Sequence, residues 1–147
     1  ASLNSAGMIL SGSSNVLWAV ISETFRSDFV HSTEEYVRSL FPQSAEPDLV
    51  EKVVADMVAA PLKVGIGTLQ DFFDYYKHRL REAARQIKVP LICVNSDMHP
   101  TEADINRKYI PSFRAKIIAG VGHFPMVEDP EMLNRLLKEA IGEISSG

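Results

Sequence analysis

Two short polar stretches hold the side chains best suited to chemistry. "NSDMHPT", residues 95–101, contains Asp97 and His99, and "GVGHFP", residues 120–125, contains His123. A carboxylate beside an imidazole holds one tautomer, which leaves the other ring nitrogen free to accept a proton. The plainer alternative is a helix-capping Asp and a solvated loop His. A third candidate is Ser14. Gly12-Ser13-Ser14-Asn15-Val16 fits the first three positions of G-x-S-x-G, the strand–turn–helix elbow that presents a nucleophilic serine. Val16 stands where the last small residue belongs, and its side chain would crowd the tight crossing that glycine permits by lacking a Cβ. Serine, imidazole and carboxylate together perform acyl transfer: the serine oxygen attacks a carbonyl carbon while the imidazole takes its proton.

These residues need elements to position them. "VPLICV", 89–94, and "AKIIAG", 115–120, are short β-branched, apolar runs bounded by turn residues. They read as strands buried on both faces, as in a parallel sheet. Asp97 and His123 then fall just beyond their carboxyl ends, where open parallel sheets place ligands. Thr101 is expected to cap a short polar helix, and Asp129-Pro130 to cap the last one, which carries Met132, Leu133, Leu136, Leu137, Ala140 and Ile141 on one face. The order from Val89 is strand, helix, strand, helix. "GMILS", 7–11, is a further buried strand. Between lie helices: one started by a Ser32–Glu35 capping box with Tyr36, Val37, Leu40 and Phe41 on a face, one from Pro47 with an apolar stripe through Val58, one from Pro61 to about Tyr76, and a basic stretch from His78 to Ile87. Phe72, Phe73, Tyr75 and Tyr76 cluster there and suit either helix packing or an apolar pocket.

Composition excludes several classes. The chain has 147 residues, which suits a single domain, 1–147, and a formal net charge of −4, which argues against nucleic acid. No apolar run approaches the roughly 20 residues of a membrane span, and no basic-then-apolar start suggests a signal peptide. The lone cysteine, Cys93, excludes an internal disulfide and sits in an apolar run. A cytoplasmic location is the expectation. His31, His78 and His99 lack metal-ligand spacing, so no metal site and no cofactor is expected.

"VPLICVNSDMHPT" followed by "AKIIAGVGHFPMVEDPEMLNRLL" resembles the C-terminal end of the α/β-hydrolases, most specifically in the GxGHFxxxExPExxxxL pattern from Gly120 to Leu136. The resemblance implies a truncated α/β-hydrolase: a small parallel sheet of about three strands, with 16–87 as a helical cap insertion and 1–15 and 88–147 as core. It implies His123 as general base and Asp97 as its orienting acid, with Glu102 and Asp104 as backups. It makes "GMIL" the sixth strand, with the elbow strand upstream, and Ser14 the nucleophile if this turn is instead the elbow. The implied activity is carboxylesterase-like hydrolysis of a small-molecule ester, with Phe72, Tyr76 and Phe124 at the substrate. The alternative is a non-catalytic hydrolase-derived domain that oligomerises or binds a small ligand. An apolar edge strand at 7–11 is a template for association, so a homo-oligomer through the sheet edge is expected.

Overall fold

A computed structural model describes residues 23–146. The expected strand at 7–11, the edge it would offer and Ser14 lie outside these residues.

The first half is helical. After a helical stretch at 23–27, Asp28 starts helix α1 (Phe29–Ser39), its carboxylate accepting the His31 N–H at 3.1 Å. The cap is therefore Asp28 and not Ser32. Ser32 is buried inside the helix, where its hydroxyl donates to the Thr24 carbonyl at 3.1 Å. A proline at the first position opens α2 (Pro47–Val58), where its missing N–H costs no helical hydrogen bond. The two helices pack face to face. Val37, Phe41 and Val54 form their core, wrapped by Leu49, Val50, Val53, Val58 and Phe124. Met57, expected in the same stripe, is exposed. A bidentate Arg38–Glu51 pair, 2.6 and 2.8 Å, spans the outer rim and lowers the Glu51 carboxyl below the ordinary carboxylate range. Helices α3 (Leu62–His78) and α4 (Leu80–Gln86) follow, broken at Arg79. Gly65 of α3 receives the Phe29 ring of α1; a Cβ there would lie 2.5 Å from ring atom Cε2.

The second half is the sheet. Strands β1 (Ile92–Ser96) and β2 (Arg114–Ile118) pair in parallel, with Ile92 opposite Arg114 and Ser96 opposite Ile118. The first strand starts three residues later than its apolar pattern suggests. Pro90 has no N–H to offer a ladder, and the ladder opens where Arg114 donates to the Leu91 carbonyl. A short helix α5 (Ala103–Arg107) joins the strands. Thr101 does not cap it: its hydroxyl oxygen accepts from Asn95 Nδ2 at 3.0 Å, bracing the loop back onto β1. A one-turn helix α6 (Pro125–Glu128) leads into α7 (Pro130–Ser145), capped as expected by Asp129, which accepts the Met132 N–H at 2.9 Å.

Helix α7 lies against both strands, with Ala140 buried. Arg114 pairs with Glu143, and Lys116 with Glu139 and Glu143, so charges tie the helix to β2. The strands are not buried on both faces. Ile118 is 2% exposed but Ile117 is 46% exposed, and in β1 only Ser96 is fully buried. Among the described residues no helix is long and apolar enough to cross a membrane.

Candidate active site

Asp97 is the first residue past β1. Its backbone N–H continues the ladder onto the Ile118 carbonyl at 3.0 Å, and its side-chain Oδ1 accepts the Gly120 N–H at 2.9 Å. The carboxylate thus fastens the end of β1 to the turn that leaves β2. That turn needs glycine: Gly120 has φ +78°, in the left-handed region that a Cβ disfavours.

The chain then passes Val121, buried, and enters a narrow place. Gly122 lies against the segment that follows α1. A Cβ on it would overlap the Leu40 carbonyl oxygen and come within 2.9 Å of Pro42 Cδ and 3.0 Å of Phe41 Cα. Here glycine serves close approach, not an unusual φ. Three successive amides are hydrogen-bonded at this point. Gly122 N–H donates to Glu128 Oε2 at 2.8 Å, His123 N–H to the Leu40 carbonyl at 2.8 Å, and Phe124 N–H to Glu128 Oε1 at 3.0 Å. Phe124 stacks on Phe41 at 4.9 Å between centroids and presents its ring to His123 edge-to-face at 5.3 Å.

His123 as a residue is exposed, yet one side of its ring is walled by Phe124. Its pKa is lowered from 6.5. The main cause is this partial loss of water around the ring, which disfavours the charged form; a like charge at His99 adds to it, and Glu128 opposes it. At neutral pH the imidazole is therefore a neutral proton acceptor facing solvent.

Asp97 and His123 stand at the same rim, on the loops leaving β1 and β2, but no hydrogen bond or ion pair joins them; Asp97 holds the Gly120 amide and His123 feels Glu128 and His99 instead. The backup acids sit on α5 or at its start. Asp104 pairs with Arg107 at 2.8 Å, and Glu102 lends its backbone carbonyl to Asn106. No serine hydroxyl among the described residues is hydrogen-bonded to His123. Phe72 and Tyr76 pack on each other at 4.3 Å, and Phe72 meets Phe73 edge-on at 5.6 Å; among the described residues no ring contact links Phe72 or Tyr76 to Phe124. A surface groove on α3, lined by Asp71, Asp74, Tyr75, His78 and Arg79, includes none of the strand-end residues. Among the described residues no three His, Cys, Asp or Glu side chains converge on a metal-sized site. The Cys93 thiol is half-buried, and burial raises its pKa, which keeps it protonated and unreactive.

The part that sequence reasoning missed is Glu128. A carboxylate at the start of the last helix, just before Asp129, already suits the helix dipole, and that local role hides the bonds to the loop. Its spacing from Gly122 and Phe124, six and four residues, was the signal available.

No protein-family model and no curated protein sequence matches the chain. Solved structures do. A thermophilic esterase from Thermogutta terrifontis, in its malate-bound form, matches with a TM-score of 0.70 at 18% identity, covering 92% of this chain and 52% of its own. An esterase from Exiguobacterium antarcticum matches at 0.68 and 16%, covering 85% and 47%. An N-acyl homoserine lactone degrading enzyme matches at 0.64 and 15%, covering 92% and 54%. The fold is thus part of the esterase, α/β-hydrolase, fold, and the chain spans about half the length of each of these proteins.

Proposed function

We propose that this chain carries the acid–base portion of a carboxylesterase-like site and acts on a small-molecule ester. The observation that carries the reading is His123. It is an exposed imidazole, neutral at physiological pH, on the loop leaving a parallel strand, in a chain whose fold is half of an esterase. In the proposed reaction Ser14 Oγ attacks the ester carbonyl and His123 takes its proton. The tetrahedral intermediate collapses, and the alcohol leaves with that proton. Water, deprotonated by His123, then releases the carboxylic acid and restores the serine. Asp97 is the proposed orienting acid, since its second oxygen carries no hydrogen bond from the described residues. Phe124, edge-on to the imidazole, is the proposed apolar wall for the substrate, and Phe72 and Tyr76 are proposed as further substrate contacts.

Hydrolysis of a short-chain p-nitrophenyl ester tests this. Activity lost in both Ser14→Ala and His123→Ala supports the full reading. Activity lost in His123→Ala alone removes Ser14 and leaves histidine-assisted attack by water. No turnover above a denatured control overturns the proposal in favour of a non-catalytic, hydrolase-derived domain. That second reading is favoured by one observation: no acid or hydroxyl is hydrogen-bonded to His123 among the described residues. The proposal extends to self-association through the sheet edge, for which light scattering after size exclusion is the test; a monomer at all concentrations rejects it.

A further inference from the structure

The loop bearing His123 has one side chain that grips it on both sides. Glu128 Oε2 takes the amide before His123 and Oε1 takes the amide after it, at 2.8 and 3.0 Å. The His123 amide between them is held by the Leu40 carbonyl, so neighbouring groups fix the backbone on which the imidazole turns. A carboxylate suits this task because it offers two acceptor oxygens and no donor. Glutamine offers one acceptor and an NH₂ that would face an N–H. Aspartate is one methylene shorter. A dipole role at the start of α7 explains little here, since both carboxylate oxygens are taken by amides of the loop.

We infer that Glu128 is a positioning residue of His123: it chelates the two backbone amides that flank it and so holds the stretch of chain from which the imidazole projects. The inference rests on the reading of His123 as the base for its functional meaning, but its geometry is independent of turnover. Among the described residues the charged groups that act on the imidazole are His99, from the loop after β1, and Glu128, from α6; the segment after α1 contributes the Leu40 carbonyl and the Phe41–Phe124 stack. With Glu128 neutralised, ring burial and His99 remain, and both oppose protonation.

The test is NMR on the intact chain, with His123→Ala identifying the imidazole signals. In Glu128→Gln the His123 titration midpoint falls below the wild-type value, and at least one of the Gly122 and Phe124 amides loses roughly tenfold or more of its protection against hydrogen exchange, the loss of about one hydrogen bond. Asp97→Asn leaves those two amides protected, since neither donates to Asp97. In a folded Glu128→Gln protein, unchanged protection of both amides, or an unchanged midpoint, overturns the inference. Should Glu128→Gln fail to fold, the wild type decides. The Gly122 and Phe124 amide shifts must titrate together with the Glu128 carboxyl carbon, and separate midpoints overturn the assignment. If the chain hydrolyses esters, Glu128→Gln lowers kcat roughly 10- to 100-fold with KM little changed, as displacement of a reacting group does. Absence of turnover in the wild type removes the esterase proposal and leaves these NMR outcomes intact.

Discussion

Replacing Gly122 by alanine adds a single methyl group, and the structure makes its cost calculable. The new carbon overlaps the Leu40 carbonyl oxygen and crowds Pro42 Cδ and Phe41 Cα. Two of these neighbours are backbone, and the third is a proline ring fixed to it, so none can rotate away. The carbonyl cannot simply retreat either, because it accepts the His123 N–H at 2.8 Å. Forcing a methyl into a packed site costs about 1–3 kcal/mol. Loosening the hydrogen bond from His123 adds about 1 kcal/mol. We expect Gly122→Ala to lower stability by about 2–4 kcal/mol. With an unfolding entropy of about 2.1 cal/mol/K per residue, a chain of this length gains roughly 0.3 kcal/mol/K on unfolding. A loss of about 3 kcal/mol is then a fall of roughly 10 °C in Tm. Urea unfolding at constant m-value and a calorimetric Tm are the assays. A variant within about 1 kcal/mol of wild type would mean that the His123 loop does not press on the segment after α1.

Other glycines separate close approach from backbone conformation. Gly67 and Gly142, within α3 and α7, have open space where a Cβ would go, so Gly67→Ala and Gly142→Ala each stabilise by about 0.8–1 kcal/mol through helix propensity. Gly120 is equally open but sits at φ +78°, so Gly120→Ala destabilises by about 1–2 kcal/mol; the three urea midpoints should move in these opposite directions. His123 gives stability a pH dependence of defined sign. Its folded pKa lies below the unfolded value near 6.5, so the unfolded chain binds more protons and stability falls as pH drops from about 6.5 through the folded pKa. Urea midpoints at pH 7.5 and 5.5 should differ more in wild type than in His123→Ala, and an equal difference refutes the assignment. Glu51 and Glu143, whose carboxyl groups are lowered by Arg38 and Lys116, lose their contributions at lower pH, as pH falls below about 4.5, so the two windows do not coincide.

What the sequence made legible was whatever a local pattern determines alone. The apolar β-branched runs gave two parallel strands, and Pro47 and Asp129-Pro130 gave helix starts, because burial of a strand and the geometry of a first helical turn depend on few neighbours. Placing Asp97 and His123 at one rim followed from strand order. The misreadings share a cause. Ser32 and Thr101 both have capping chemistry, but each hydroxyl meets a partner distant along the chain, the Thr24 carbonyl eight residues away or the Asn95 amide six away, and that contact decides its role. Full burial of the strands failed for a similar reason. Apolar composition sets the tendency, while coverage depends on which helices lie on each face, and Ile117 remains 46% exposed.

The α1–α2 helices and the loop bearing His123, separate in the sequence, are one mechanical unit at their junction. A cap that opened as a rigid lid would carry α1, α2 and the residues after α1 with it. Yet Leu40 supplies the acceptor for the His123 amide, Phe41 stacks on Phe124, and Phe124 completes the core of the α1–α2 pair. Swinging that pair away would break a hydrogen bond worth about 1 kcal/mol and an aromatic contact worth about 0.5–1.5 kcal/mol beyond its buried area. It would also expose Phe41, now 7% accessible. The α1–α2 pair is therefore a fixed wall of the His123 loop.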